Sequence, residues 1–192
     1  MKRSHAIIYS LIIVFLLSPL PVRAQSQQAQ MKHFAKEGLA LDYPAVWSLD
    51  DESRQDAQHL VLVRGASGAQ IMFFVPREKI TTPDRMADLR RAITEPLLAA
   101  VEKELQGQGA RPERSAVTIE VGGAQADGVR LSAVLNGLAG RAEVYSLVLG
   151  GRLVALSFIG SEMELKEAAA DWETIRRSVK IEDAAPPAKP DK

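Results

Sequence analysis

Among the side chains able to do chemistry the imidazoles come first, and the 192 residues hold three. His33 and His59 stand alone in their neighbourhoods, with no second histidine at helical or hairpin ligand spacing, so both read as surface or strand residues and not as metal ligands. There is no cysteine, which excludes a thiolate zinc site, a thiol nucleophile and a disulfide frame. Ser67 lies in Gly65-Ala66-Ser67-Gly68, which lacks the Gly-x-Ser-x-Gly spacing of a nucleophile elbow and reads as a turn. Gly122, Gly123 and Gly128 do not make Gly-x-Gly-x-x-Gly and fall between strands, so they read as turn glycines, not a phosphate cradle.

Carboxylates are plentiful, but acid and base work needs two in one cleft with separated titrations. Asp50-Asp51-Glu52 reads as an exposed loop and Glu162 with Glu164 as a helix start. The first trio also lacks the alternating oxygen ligands and turn glycine of a calcium loop. Tyr43 and Trp47 could line a groove, yet aromatics bury about 150–250 Å² each, and a cysteine-free domain needs that area in its core. Arg90-Arg91 and Arg176-Arg177 could dock an acidic partner, although such pairs on helices are usually just solvated. On this reading no residue is assigned as catalytic, cofactor-binding or metal-ligating, and no cofactor is expected.

The first residues direct the chain. Lys2 and Arg3 precede Ala6–Leu20, a mostly aliphatic run that ends in Pro21-Val22-Arg23-Ala24. A basic start, a short apolar stretch and small or apolar residues before the cut make a signal peptide, residues 1–24, cleaved after Ala24. As a helix the run would reach roughly 22 Å, short of the roughly 30 Å hydrocarbon core. Gln25 stands where an exported lipoprotein would need cysteine. Removing the first 24 residues, with Lys2, Arg3 and Arg23 among them, leaves 168 with 21 basic and 24 acidic side chains, a net charge near −3. No concentrated basic face is available for phosphates, so nucleic acid is rejected as a partner. The expectation is an exported protein, periplasmic or secreted, with no stable membrane span after cleavage.

Residues 25–31 are polar and Gln-rich and read as a leader. Residues 182–192 carry Pro186, Pro187 and Pro190 and read as a disordered tail. Between them, residues 32–181 read as one folded unit. Phe34–Lys36 and Leu39–Tyr43 make two short strands joined near Glu37-Gly38 and stopped by Pro44. Leu60–Arg64 and Gln70–Val75 form a hairpin whose second strand, apolar throughout Ile71–Val75, is expected to be buried on both faces.

Thr82-Pro83 then caps a long helix with Met86, Leu89, Ile93, Leu97, Val101 and Leu105 on one stripe and Arg85, Arg90, Arg91 and Glu102 facing away. Pro96 predicts a kink or break at Thr94-Glu95. From Ala116 the period becomes two, and four strands follow, closed by Asn136-Gly137 and Gly150-Gly151, the latter an antiparallel two-residue hairpin. Ser161 and Glu164 form a capping box for a final helix with Leu165, Ala168, Trp172, Ile175 and Val179 on its apolar face.

Tyr43-Pro44-Ala45-Val46-Trp47 after a strand pair, a central helix, a four-strand meander and a closing amphipathic helix with Trp172 and Ser178-Val179 resembles the superfamily of PsbP, the Ran-binding Mog proteins and the bacterial DcrB-like proteins. The resemblance covers about Phe34–Ile181. It implies an α+β fold, an antiparallel β-sheet sandwiched between helical layers, and members that act mostly as binding or assembly factors without catalysis. It carries over no binding site, and export argues against a nuclear Ran partner. The expected function is a non-catalytic exported binding or assembly-factor module working through protein–protein contacts in the cell envelope. Two alternatives stay open: an exported hydrolase with a dispersed, loop-built site, and a carrier of an apolar ligand between helix and sheet, suggested by Ile71–Val75.

Overall fold

A computed structural model describes residues 30–65, 68–80 and 82–182. Two-residue turns set much of the topology. Strand β1 (Met31–Lys36) folds back onto β2 (Leu39–Pro44) through Glu37 and Gly38. Their φ values of 50° and 86° are the left-handed pair that a tight hairpin of this twist requires. Next come β3 (Trp47–Asp51), β4 (Ala57–Arg64) and β5 (Gln70–Pro76), then helix α1 (Pro83–Gly107).

Strands β6 (Glu113–Val121), β7 (Ala124–Leu135), β8 (Leu138–Leu149) and β9 (Arg152–Ser161) form the antiparallel meander that the period-two pattern predicts. Helices α2 (Glu162–Glu167) and α3 (Ala169–Ser178) and the short β10 (Lys180–Ile181) complete the chain. One sheet has seven strands in the order β3-β4-β5-β9-β8-β7-β6, and a second has β1-β2-β10. The β5–β9 pairing, with Phe73 opposite Leu156, joins the first hairpin to the meander.

The larger sheet has two unequal faces, because alternate residues of a strand point to opposite sides. Ile71, Phe73 and Val75 of β5 and Val154, Leu156 and Phe158 of β9 belong to the main core. There they meet Leu39 and Leu41 of β2, Leu165 of α2, and Trp172 and Ile175 of α3. On the opposite face Leu98 of α1 packs with Leu131, Ala142 and Val144. Leu98 is the single fully buried residue of α1.

The molecule is thus mostly antiparallel strand with few helices. The expected pair of helical layers takes a looser form: one face is covered jointly by α2, α3 and the small sheet, and the other by α1 alone. Phe74 and Met72, expected to be buried, are only half-buried under α1.

Three local expectations are corrected. Of the kink or break expected at Thr94-Glu95, the break is absent, and helix α1 continues through Pro96; Pro96 and Ala92 are both exposed, so water can take the carbonyl that proline leaves without a donor. The closing helix is instead divided at Ala168, a fully buried residue at the α2–α3 junction, while the Ser161–Glu164 capping box is formed as its spacing predicts. Asp50 and Asp51 lie in β3, not in a loop. The expected signal peptide and the tail from residue 183 lie outside the described residues; β1 already begins at Met31, within the stretch read as a leader.

Candidate functional site

The residues with chemical potential are dispersed. On the small sheet His33 Nδ1 lies 2.6 Å from Asp42 Oδ1, and on β4 of the larger sheet His59 Nδ1 lies 3.2 Å from Glu52 Oε2. Among the described residues no group of three or more His, Asp or Glu side chains could hold a metal ion. The Lys36 ammonium donates to Asp51 Oδ2 at 2.6 Å and, with Ser53, holds that carboxyl at about 2, below the usual carboxylate range. Glu164 closes the capping box, and Glu162 lies 3.7 Å from Arg141. Arg176 donates to the Glu120 carbonyl and pairs with Glu173, which also meets Arg177 at 2.6 Å. These arginines are tied into the protein. Arg90, expected to face away, has its Nε buried without a hydrogen-bond partner. Ser67 lies outside the described residues.

Trp47 is fully buried and its Nε1 donates to Asp171 Oδ2 at 3.0 Å, an oxygen that also accepts from Arg64 Nε at 3.0 Å. The Trp47 ring is therefore a core anchor, as its area argues. Tyr43 is half-buried beneath the Lys32 ammonium, 5.8 Å from the ring centroid. Gly122 and Gly123 take positive φ in the β6–β7 turn. Gly128 does something else: it sits mid-strand in β7, where a Cβ would come within 2.5 Å of Tyr145 Cδ1 and of the Val144 carbonyl oxygen. Its bare backbone makes room for the Tyr145 ring, whose hydroxyl donates to Glu143 Oε2 at 2.7 Å. Burial and that carboxylate both push the tyrosine pKa upward. Arg130 Nε donates to the other Glu143 oxygen at 2.7 Å.

A second buried polar knot joins the sheets. Arg152 donates to the carbonyls of Pro76, Val75 and Glu37 and to Gln58 Oε1, while Gln58 Nε2 donates to the Lys36 carbonyl at 2.7 Å. Burial lowers the Arg152 pKa. Both knots are held by internal bonds: Glu143 meets Arg130 and Tyr145, while Arg152, which also borders a hollow of about 260 Å³ beside Glu37, Arg77 and Lys79, meets Gln58 and three carbonyls.

Polar-rimmed hollows lie beside Arg152 and beside Arg54, and the more apolar open space lies around α1. Its stripe of Met86, Leu89, Ile93, Leu97, Val101 and Leu105 faces the sheet as the spacing predicts, yet every one of these is only half-buried. Two hollows result. One, about 290 Å³, lies between Ile93 and Leu97 of α1 and the β4–β5–β9 surface, floored by Met72, Phe74, Ala155 and Ser157 and bordered by His59. The other is an apolar groove of about 320 Å³ between Val101 and Leu105 of α1 and the end of the β7–β8 hairpin, where Leu131, Leu135 and Leu138 line it. At the tip of that hairpin Val134 is 61% and Leu138 72% exposed.

Sequence reasoning passed over Ser157. It interrupts the apolar run Leu153–Ile159, it is 1% exposed, and its hydroxyl has no hydrogen-bond partner among the described residues. The register explains the isolation: Met72 on β5 and Val144 on β8 sit directly opposite it, and neither offers a polar atom. Leaving a buried hydroxyl unpaired costs about 1–3 kcal/mol. The only signal in the sequence was one polar residue within the apolar run of β9.

No protein-family model matches the chain, and no curated protein matches it in sequence. Solved structures do. The solution structure of cyanobacterial PsbP (CyanoP) from Synechocystis sp. PCC 6803 aligns at a TM-score of 0.52 and 14% identity, over 80% of this chain and 94% of that one. A Bacteroides thetaiotaomicron VPI-5482 protein, of which this chain spans about half, aligns at 0.51 and 12% identity, covering 80% of this chain and 49% of the other. LpqN of Mycobacterium tuberculosis, a protein involved in cell envelope biogenesis, aligns at 0.39 and 16% identity, over 79% and 90% of the two chains. With the strand order, the meander and the closing helices in place, the likeness to CyanoP establishes the architecture as a PsbP-like fold.

Proposed function

We propose that this chain is a non-catalytic binding or assembly module of the cell envelope that acts through protein–protein contacts. The observation that carries the reading is the exposed apolar tip of the β7–β8 hairpin, Val134 and Leu138, continuous with the groove beside α1. Apolar surface concentrated in this way on a domain with polar surroundings marks a contact site. The two buried polar knots support the absence of turnover, since their charged heads are committed to internal partners. The PsbP-like fold supports a binding role within the wider group that includes the Mog and DcrB-like proteins. The basic and apolar first 24 residues support export, which leaves a nuclear Ran partner out of reach.

The test is cross-linked capture from an envelope fraction with the wild-type chain and with Leu138→Asp. One protein recovered stoichiometrically by the first and lost with the second, at unchanged melting temperature, supports the reading. Equal recovery by both, or a serine-directed probe that labels the chain at a single replaceable serine while substrate is turned over, overturns it.

A further inference from the structure

The hollow between α1 and the β4–β5–β9 surface differs in kind from the groove at the hairpin tip. Its walls are the side chains of Ile93 and Leu97 on one side and Met72 and Phe74 on the other, and its floor carries one buried, unpartnered hydroxyl, that of Ser157. An apolar site with a single placed polar group is the form that small-molecule pockets take: the walls supply affinity and the polar atom fixes orientation. Its charge requirements are also readable. His59 is the one titratable residue on its border and already faces Glu52, so an ionised ligand would enter without a free counter-charge, at a prohibitive desolvation cost.

We propose that this hollow binds a small neutral apolar molecule that carries one hydrogen-bonding group and seats that group on Ser157. A serine hydroxyl both donates and accepts, so an alcohol, a ketone or an ester meets the requirement. The apolar body lies between Phe74 and the α1 side chains. The site is on a different part of the sheet from Val134 and Leu138, and the proposal stands whether or not the hairpin tip docks a protein.

The test uses 2-naphthol and naphthalene as probes, two bodies of nearly one shape that differ in a hydroxyl. Titration by fluorescence is run on the wild-type chain, on Ser157→Ala and on Ala92→Trp, the last placing a bulky ring at the exposed border of the hollow. The wild type binds 2-naphthol at one site. Ser157→Ala weakens 2-naphthol about 2- to 10-fold, the worth of one hydrogen bond, and leaves naphthalene unchanged. Ala92→Trp weakens both. Melting curves confirm folding; Ser157→Ala loses only an unpaired hydroxyl and melts at or above the wild-type temperature. Failure of the wild type to bind either probe up to its solubility limit overturns the proposal, as does an unchanged 2-naphthol affinity in Ser157→Ala or wild-type affinity for both probes in Ala92→Trp.

Discussion

Trp172→Ala tests whether α3 holds the main core in the way the geometry indicates. The indole is 7% exposed and stacks on Phe158 at 4.9 Å between centroids and 15° between planes, with Tyr145 on it at 6.4 Å and 30°. An aromatic of about 150–250 Å² at ~25 cal/mol per Å² sets an upper figure of about 4–6 kcal/mol. Truncations of buried aromatics to alanine cost about 3–5 kcal/mol, with the spread set by how far the site collapses. The sheet beneath is hydrogen-bonded on both sides and cannot close the gap, so the expected loss lies in that range. For a domain of this size each kcal/mol shifts the melting temperature by about 2–4 °C, giving a fall of roughly 6–20 °C. Urea unfolding followed by far-UV circular dichroism should show a lower midpoint at an unchanged slope, and Trp172→Phe, which keeps a ring over Phe158, should lose less. A midpoint and melting temperature within error of wild type would show that α3 is docked by other contacts.

Gly128→Ala places a methyl 2.5 Å from the Val144 carbonyl oxygen and the Tyr145 ring; because one of these is backbone, the strand must shift, and a loss of at least about 1–3 kcal/mol in denaturant unfolding is expected. The Asp51 carboxyl, held at about 2 from an ordinary 3.8 chiefly by the Lys36 hydrogen bond, adds stability that is fully present above about pH 4 and is lost as pH falls towards 2, since the unfolded chain takes up the proton first. The stability difference between wild type and Asp51→Asn should therefore shrink between those values; a difference constant from pH 6 to 2 would contradict the pairing.

Much of the fold was legible because its punctuation is local. Asn136-Gly137, Gly150-Gly151 and the Ser161-x-x-Glu164 box act within three residues of themselves, and the turns and helix start they specify are where spacing puts them. What escaped depends on distant partners. Strand β3 was hidden because Asp50-Asp51-Glu52 is turn-like in isolation; the charge of Asp51 is met by Lys36, on a different strand. Gly128 looked like a turn residue because nothing nearby reveals the Tyr145 ring above it. The division at Ala168 carries no glycine or proline to announce it. Of Ile71–Val75 only Met72 and Phe74 line the hollow under α1, the rest facing the main core, and Ser157 acquires meaning only once Met72 and Val144 are seen on either side.

The borders of the seven-stranded sheet have a consequence for how this protein can associate. A lateral strand offers unsatisfied amides and carbonyls to any passing chain, and proteins that stay dispersed defend it. Here β3 is five residues long and ends in two adjacent aspartates, while β6 exposes Glu113, Arg114 and Glu120 and has a carbonyl taken by the Arg176 guanidinium. Growth of the larger sheet by strand addition is disfavoured at both margins, so a partner that approaches this sheet from the side meets charged side chains before it meets backbone.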